Sequence, residues 1–380
     1  MTKRYESLDI LRGITVTFMC MANNPGSWGH IYPPLKHASW IGCTPTDLIY
    51  PFFIFCAGCA MAFSYSKFDS FNGQAFRKLL KRSIGIFLVG LLLNLYPFYP
   101  TSLHSEDWTF WQNYAYWLSG KRIMGVLQRI ALSYFIAGCI ALWLRKPKKI
   151  MVAIGALCVL YTGILVAFGT DPGPFTLEGN ISRHIDVALL GESHVYHGYS
   201  GMAFDPEGPL GSLMGACTCL LGFLIGSLIV GSGKRLALDP QSQKDQPTYM
   251  VCRIFAFGIL SLGLGELLSI WIPISKPMRS ASYVFYAGGW SMVALAFLIF
   301  CIDICGIKKP FAGFKVMGMN AMAAFVLSGV IAKSYQFVGW SSAKYFGANE
   351  FLSFCYACIF ATVIFLILLI LNKKKIFIKL

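Results

Sequence analysis

The sequence predicts an all-α fold: a polytopic membrane protein of about ten transmembrane helices in one bundle, with both termini cytoplasmic. Three observations carry this expectation. Of 380 residues, 56% are hydrophobic and only 13% charged, against about 25% charged in soluble globular domains, so a water-soluble fold is excluded. Apolar stretches near twenty residues recur, as at 150–169 and 352–371, each long enough to cross a hydrocarbon core of ~30 Å. Basic residues gather in alternate connections, 21 on one side against seven on the other, which marks the richer side as cytoplasmic. The same bias accounts for the net charge of +15, so the expected partner is a lipid bilayer and no nucleic acid is expected.

The helices are expected at roughly 8–24, 46–66, 82–99, 123–143, 150–169, 209–231, 250–273, 282–304, 316–338 and 352–371. The first holds Asp9, Arg12, Asn23 and Asn24 and lacks a small-residue cleavage site, so it reads as a retained, bundle-facing helix and not a signal peptide. The second opens on Thr44-Pro45-Thr46-Asp47, a capping pattern with proline at the first helical position. The fourth carries Gln128 and Arg129 about six residues, or ~9 Å, inside its outer end. Asp205 and Glu207 precede the sixth, the seventh contains Arg253 and Glu266, and the ninth contains Asn320 and Lys333. The long outer connections are 25–45, 100–122 and 170–208, and the longest cytoplasmic one is a polar linker at 232–249. Ten helices can share one interior, so residues 1–380 are read as a single domain. Twelve of thirteen cysteines fall in or at the ends of spans; Cys56-x-x-Cys59 and Cys355-x-x-Cys358 read as small packing residues, and no metal is expected. No repeat relates the two halves, which gives an inverted-repeat transporter no support.

All six histidines fall on the outer side by this topology, which fits acid–base chemistry there. His37 stands out because helix 2 begins just after it, directing free N–H groups and a positive dipole end at the outer boundary. Asp47 is either the cap residue or the partner that orients His37, and the two roles can coexist. Asn23 and Asn24 close helix 1 on the same side; they either cap it or offer an amide to a substrate carbonyl, the geometry acyl transfer needs. Gln128, Arg129 and Glu266 are candidates for a substrate cavity, since polar groups within spans face a cavity or a partner; Glu266 and Lys333 can alternatively form a structural ion pair. Asp205 and Glu207 either satisfy a helix dipole or bind a cationic or hydroxyl-rich ligand. Asp9, Arg12, Arg253 and Asn320 lie near the cytoplasmic surface, where Asp9 and Arg12 can also pair with each other. Two polar layers suggest a site reached from both sides.

Several stretches together resemble the transmembrane heparan-α-glucosaminide N-acetyltransferases, including their shorter bacterial relatives. They are Ser7-Leu8-Asp9-Ile10-Leu11-Arg12-Gly13, Lys36-His37-Ala38-Ser39-Trp40 through Thr46-Asp47-Leu48, Gly125-Val126-Leu127-Gln128-Arg129, Asp205-Pro206-Glu207-Gly208 and Gly318-Met319-Asn320. The resemblance implies a homodimeric inner-membrane enzyme. It would take acetyl from cytoplasmic acetyl-CoA, as co-substrate, and place it on the amino group of a glucosamine on the far side. By motif position His37 would be the active-site histidine and Asn23 its nearby asparagine. The N-terminal region and further helix of animal members have no counterpart here, so a free amino sugar, or a chitin or peptidoglycan fragment, is the expected acceptor.

Chemistry agrees with that outline. An acyl thioester needs a neutral amine, a base to take its proton and donors for the tetrahedral oxyanion. His37 suits the base, or alternatively a transient acetyl carrier. Arg12 and Arg253 suit the phosphates of coenzyme A. An O-acyltransferase of a surface polysaccharide would share this machinery, and a proton-coupled sugar transporter is the alternative from another class.

Overall fold

The computed structural model describes residues 5–66, 68, 71–100, 104–199, 201–238, 246–335 and 340–378, without side chains at 234–238. Lys3, Arg4, Lys67, Lys244 and Lys379, which entered the charge asymmetry, lie outside those residues, as do 239–245 of the polar linker and 336–338 of the predicted ninth helix.

The chain is helical, as expected, and every one of the ten predicted stretches falls on a helix. In order these are α1 (Glu6–Ala22), α2 (Ile49–Tyr65), α3 (Gly73–Leu95), α4 (Phe110–Ser119), α5 (Val126–Leu144), α6 (Pro147–Phe168), α7 (Ile181–Leu190), α8 (Ser212–Leu238), α9 (Pro247–Ser269), α10 (Ala281–Leu298), α11 (Ala312–Met319), α12 (Ala321–Ser334), α13 (Ser342–Phe346) and α14 (Glu350–Lys373). Among the described residues, seven helices are long and apolar enough to cross a membrane, or eight if α11 and α12 count as one broken span.

Local chemistry sets the boundaries. Pro147 and Pro247 open α6 and α9 at positions where a missing N–H costs nothing. Asn72, Ser280 and Asn349 cap α3, α10 and α14 through side-chain oxygens that accept first-turn N–H groups. Close packing then depends on small residues. A Cβ on Gly58 would collide with the Cys219 carbonyl and one on Gly222 with the Phe55 carbonyl, so α2 and α8 touch backbone to backbone. Cys56 and Cys59 are both fully buried, Cys59 in that seam against Gly226.

Two elements depart from expectation. The predicted ninth helix is bent by 72° between α11 and α12. Its break residue, Asn320, donates from Nδ2 to the Ile376 carbonyl (3.2 Å) and accepts from the Ile378 N–H (3.0 Å), so it holds the segment after α14. The predicted fourth helix starts later, at Val126, because the residues before it are strapped in extended form. Ile123 donates to the His194 carbonyl, and Asn94 donates to the Arg122 and Met124 carbonyls. Gln128 and Arg129 therefore sit in the first turn of α5, not six residues inside it.

Candidate active site

The connection from α1 to α2 folds back on itself around one carboxylate. Thr44-Pro45-Thr46-Asp47 forms a short 3-10 turn that runs directly into α2, with the capping box closed as the sequence suggested. Asp47 is fully buried. Its Oδ2 accepts from the Thr44 N–H (3.0 Å), the Thr44 hydroxyl (3.0 Å) and the Ala38 N–H (3.1 Å). Its Oδ1 lies 2.7 Å from His37 Nδ1 and 3.2 Å from Lys276 Nζ. The Tyr283 hydroxyl donates to the Asp47 carbonyl at 2.6 Å, tying the turn to α10. Asp47 is thus both cap and partner, one oxygen for each task.

Beyond this pair opens a cavity of about 690 Å³, its open mouth included. His37, Lys276 and Arg279 stand at it, and Thr15, Val16, Met19 and Asn23 form one wall. These four recur on one face of α1, so the wall runs eight residues, or ~12 Å, along the helix axis. Thr46, Tyr50 and Phe53 of the α2 region, Ile130 of α5, Phe325 of α12 and Glu207 complete it. A donor thioester and an amine can meet in such a space, apolar in its walls with a few polar groups converging at one end.

A buried charge cluster backs the cavity. Arg122 clamps Asp205 through Nε (2.9 Å) and Nη2 (2.5 Å), and the same Nη2 reaches Glu207 at 2.6 Å. Burial would push the Glu207 carboxyl up, but Arg122, Arg279 and Arg129 overcome that and hold it down at about 2. Burial likewise opposes the charge on Arg122, and its two carboxylate partners prevail, raising it above the ordinary arginine value. Arg279 is 2% exposed; it lies 4.1 Å over the Tyr50 ring and 3.6 Å from Glu207. Its three guanidinium nitrogens have no hydrogen-bond partner among the described residues. Burial pushes the Lys276 ammonium below the ordinary lysine value; Asp47 and Glu207 oppose that shift and Arg279 adds to it.

The structure gathers some candidates and separates others. His37, Asp47, Asn23 and Glu207 meet at the cavity. Asn24 does not; its Nδ2 donates to the Cys20 carbonyl and the Ser328 hydroxyl, which ties α1 to α12. Gln128 donates to the Ile123 carbonyl at 3.0 Å, and Arg129, 1% exposed, donates to the Pro206 carbonyl. Both brace the connecting segments 123–125 and 205–208 behind the cavity. Asp205 is spent on Arg122. Glu266 is exposed on α9 and is not among the cavity-lining residues, and Lys333 donates to the Leu93 carbonyl, so neither the substrate contact nor the alternative ion pair forms. Asp9 and Arg12 pair at 3.3 Å, as their spacing allowed. Arg253 is half-buried on α9 with no ion pair among the described residues, and Asn320 is occupied by the C-terminal segment.

Sequence reasoning missed Lys276, Arg279 and Arg122 as site residues. A signal existed for the first two: Ile274-Ser275-Lys276-Pro277-Met278-Arg279-Ser280 puts two cations in a short link between apolar helices, on the side poor in them.

The chain is similar to known proteins over nearly its whole length. Residues 4–184, which include His37 and Asp47, match the family model described as heparan-alpha-glucosaminide N-acetyltransferase, catalytic. The heparan-alpha-glucosaminide N-acetyltransferase of Homo sapiens is 27% identical over 98% of the chain and 59% of its own length. That of Mus musculus is 25% identical over 98% of the chain and 60% of its own length. The chain therefore spans about six-tenths of the length of these curated relatives. With just under half of it matched to that family model and nearly all of it aligning with these two proteins, the chain is similar to the heparan-alpha-glucosaminide N-acetyltransferases.

Proposed function

We propose that the protein is a membrane-embedded acetyltransferase that moves acetyl from acetyl-CoA to the amino group of a glucosamine or a glucosamine-terminated saccharide. The observation that carries this reading is the His37–Asp47 pair at 2.7 Å on the mouth of a cavity running along α1. A carboxylate on Nδ1 fixes the tautomer that leaves Nε2 as the basic nitrogen. The neutral acceptor amine attacks the thioester carbonyl, His37 takes its proton, and coenzyme A departs as the thiolate. Asn23 and the unsatisfied guanidinium of Arg279 supply N–H donors for the oxyanion.

The asymmetry of basic residues orients the molecule: the His37 end faces outward and both termini face the cytoplasm of a bacterial inner membrane. The donor then enters from the terminal end. The cavity wall reaches Thr15, and Arg12 lies three residues beyond it, under one helical turn. Arg12 is the cation nearest the closed end on α1 and suits the donor phosphates; Arg253 supplies a second charge from α9. A second copy of the chain completes the proposed homodimer.

Proteoliposomes loaded with glucosamine and supplied with external acetyl-CoA test the reading. N-acetylglucosamine inside and free thiol outside support it. Sugar movement without thiol release would instead identify a transporter, and an acetyl ester on a saccharide hydroxyl would identify an O-acyltransferase.

A further inference from the structure

The link between α9 and α10 holds one arginine in a backbone conformation that side-chain-bearing residues rarely adopt. The Ser280 hydroxyl accepts from the Ser275 N–H (3.1 Å) and the Tyr283 N–H (3.4 Å), and the Ser280 N–H donates to the Ser275 carbonyl (3.3 Å). Ser275 Oγ donates to the Trp40 carbonyl at 2.6 Å and accepts from the Met278 N–H at 3.3 Å. The Tyr161 hydroxyl donates to the Met278 carbonyl. Between these ties Arg279 sits at φ +56°, a left-handed backbone that a long side chain keeps only where its surroundings over-determine it.

The side chain so placed is 2% exposed and lines the His37 cavity. It lies 4.1 Å over the Tyr50 ring, whose face attracts the charge and leaves the N–H groups unpaired. Among the described residues Nε and Nη1 have no hydrogen-bond partner, and Nη2 has only Glu207 Oε1 at 3.6 Å, beyond hydrogen-bond length. Glu207 is itself committed to Arg122 at 2.6 Å. A cation taken out of water with unpaired N–H groups is among the costliest groups in a fold.

The neighbouring charges do not cancel it. Lys276 comes from the same link, Arg129 from α5, Glu207 and Asp205 from the segment before α8 with Arg122 clamped on them, and Asp47 from beyond Lys276. Asp186, its carboxyl held up at about 8, is neutral at pH 7. With His37 neutral and Lys276 an ammonium, the four cations meet three carboxylates, so one positive charge is in excess.

We propose that Arg279, with Lys276 beside it, is a binding site for a small monovalent anion of halide size, which competes there with the acyl oxygen of the donor. The site itself stands on this geometry, and the competition rests on the proposed acetyl transfer. A halide accepts N–H groups from any direction, so it can use Nε and Nη1 while Glu207 keeps Nη2. A dianion would exceed the charge to be neutralised and would face Glu207 and Asp47. The thioester oxygen, and the oxyanion it becomes when the amine attacks, call on the same donors. Anion and donor therefore exclude each other.

Purified full-length protein at constant ionic strength, with sodium bromide replacing the bulky morpholinoethanesulfonate salt, tests this. In crystals of the wild type grown in bromide, an anomalous-scattering peak is expected against the Arg279 guanidinium; no peak there overturns the site. Relative to Arg279→Met, the wild type should gain about 3 °C in melting temperature on going to bromide; equal responses of the two proteins overturn it as well. If Arg279→Met does not fold, diffraction from the wild type decides alone. In turnover with glucosamine, about 200 mM bromide should raise the apparent KM for acetyl-CoA about fivefold at unchanged kcat. A bromide peak at Arg279 without that rise overturns the competition. Absence of N-acetylglucosamine from the wild type would sink the acetyltransferase reading, while diffraction still reports whether the anion binds.

Discussion

Asp47 Oδ1 stands 2.7 Å from His37 Nδ1, while Oδ2 of the same carboxylate holds the turn that starts α2. One buried side chain therefore sets both the direction of a helix and the tautomer of an imidazole. Removing either partner should separate these tasks. His37→Ala is expected to lower kcat for acetyl transfer by about 10²–10⁴-fold while the protein still elutes as a single folded species. Asp47→Asn should lower kcat and also the melting temperature, because the cap and the imidazole lose the same anion. Full activity of His37→Ala in the thiol-release assay would remove it from the mechanism.

The Arg122 clamp makes a different prediction. Arg122→Leu leaves Asp205 without its bidentate partner and Glu207 with only the Arg279 contact at 3.6 Å. Breaking a buried ion pair from one side costs about 3–5 kcal/mol, reduced here because Arg122 is 29% exposed. Thermal unfolding in detergent should show a clear drop in melting temperature, whereas an unchanged value would mean that the cluster carries no stability.

Asp186 on α7 gives a pH dependence with a defined sign. It is 1% exposed, and neither carboxylate oxygen has a hydrogen-bond partner among the described residues. Burial, with the nearby Asp205 charge, pushes its carboxyl up to about 8. A carboxyl raised on folding favours the folded state fully below its unfolded value of 3.8. That contribution is lost progressively as pH rises from there toward 8. Asp186→Asn should therefore melt higher than wild type at pH 8, with the gap narrowing toward pH 4. Parallel melting curves for the two proteins across that window would contradict the assignment.

The seam between α2 and α8 sets the fourth expectation. Gly58→Leu forces a branched side chain into the Cys219 carbonyl, and the two helices cannot separate without opening the core. The variant should be lost from the monodisperse fraction on size-exclusion chromatography, while substitution at Gly155, where nothing lies within 4 Å, should be tolerated.

Much of the molecule was legible in the linear chain because its signals are local. Apolar runs of membrane length, prolines at helix starts and the Thr44–Asp47 cap act within a few residues, so the helices and the setting of His37 could be read directly. The partnership of Asp47 with His37 was readable as one of two options, since ten residues and a single turn separate them. Glu266, Gln128, Asn24 and Asn320 were not, because a polar residue in an apolar span faces a cavity, a strap or a neighbouring backbone with the same sequence signature. By itself, then, the sequence determined an all-helical membrane chain with a capped histidine at one end. Only the tertiary structure decided that Lys276, 239 residues away from His37, and Arg279 stand beside it. Helix packing brings distant links together through shapes and close glycine contacts that no periodicity records.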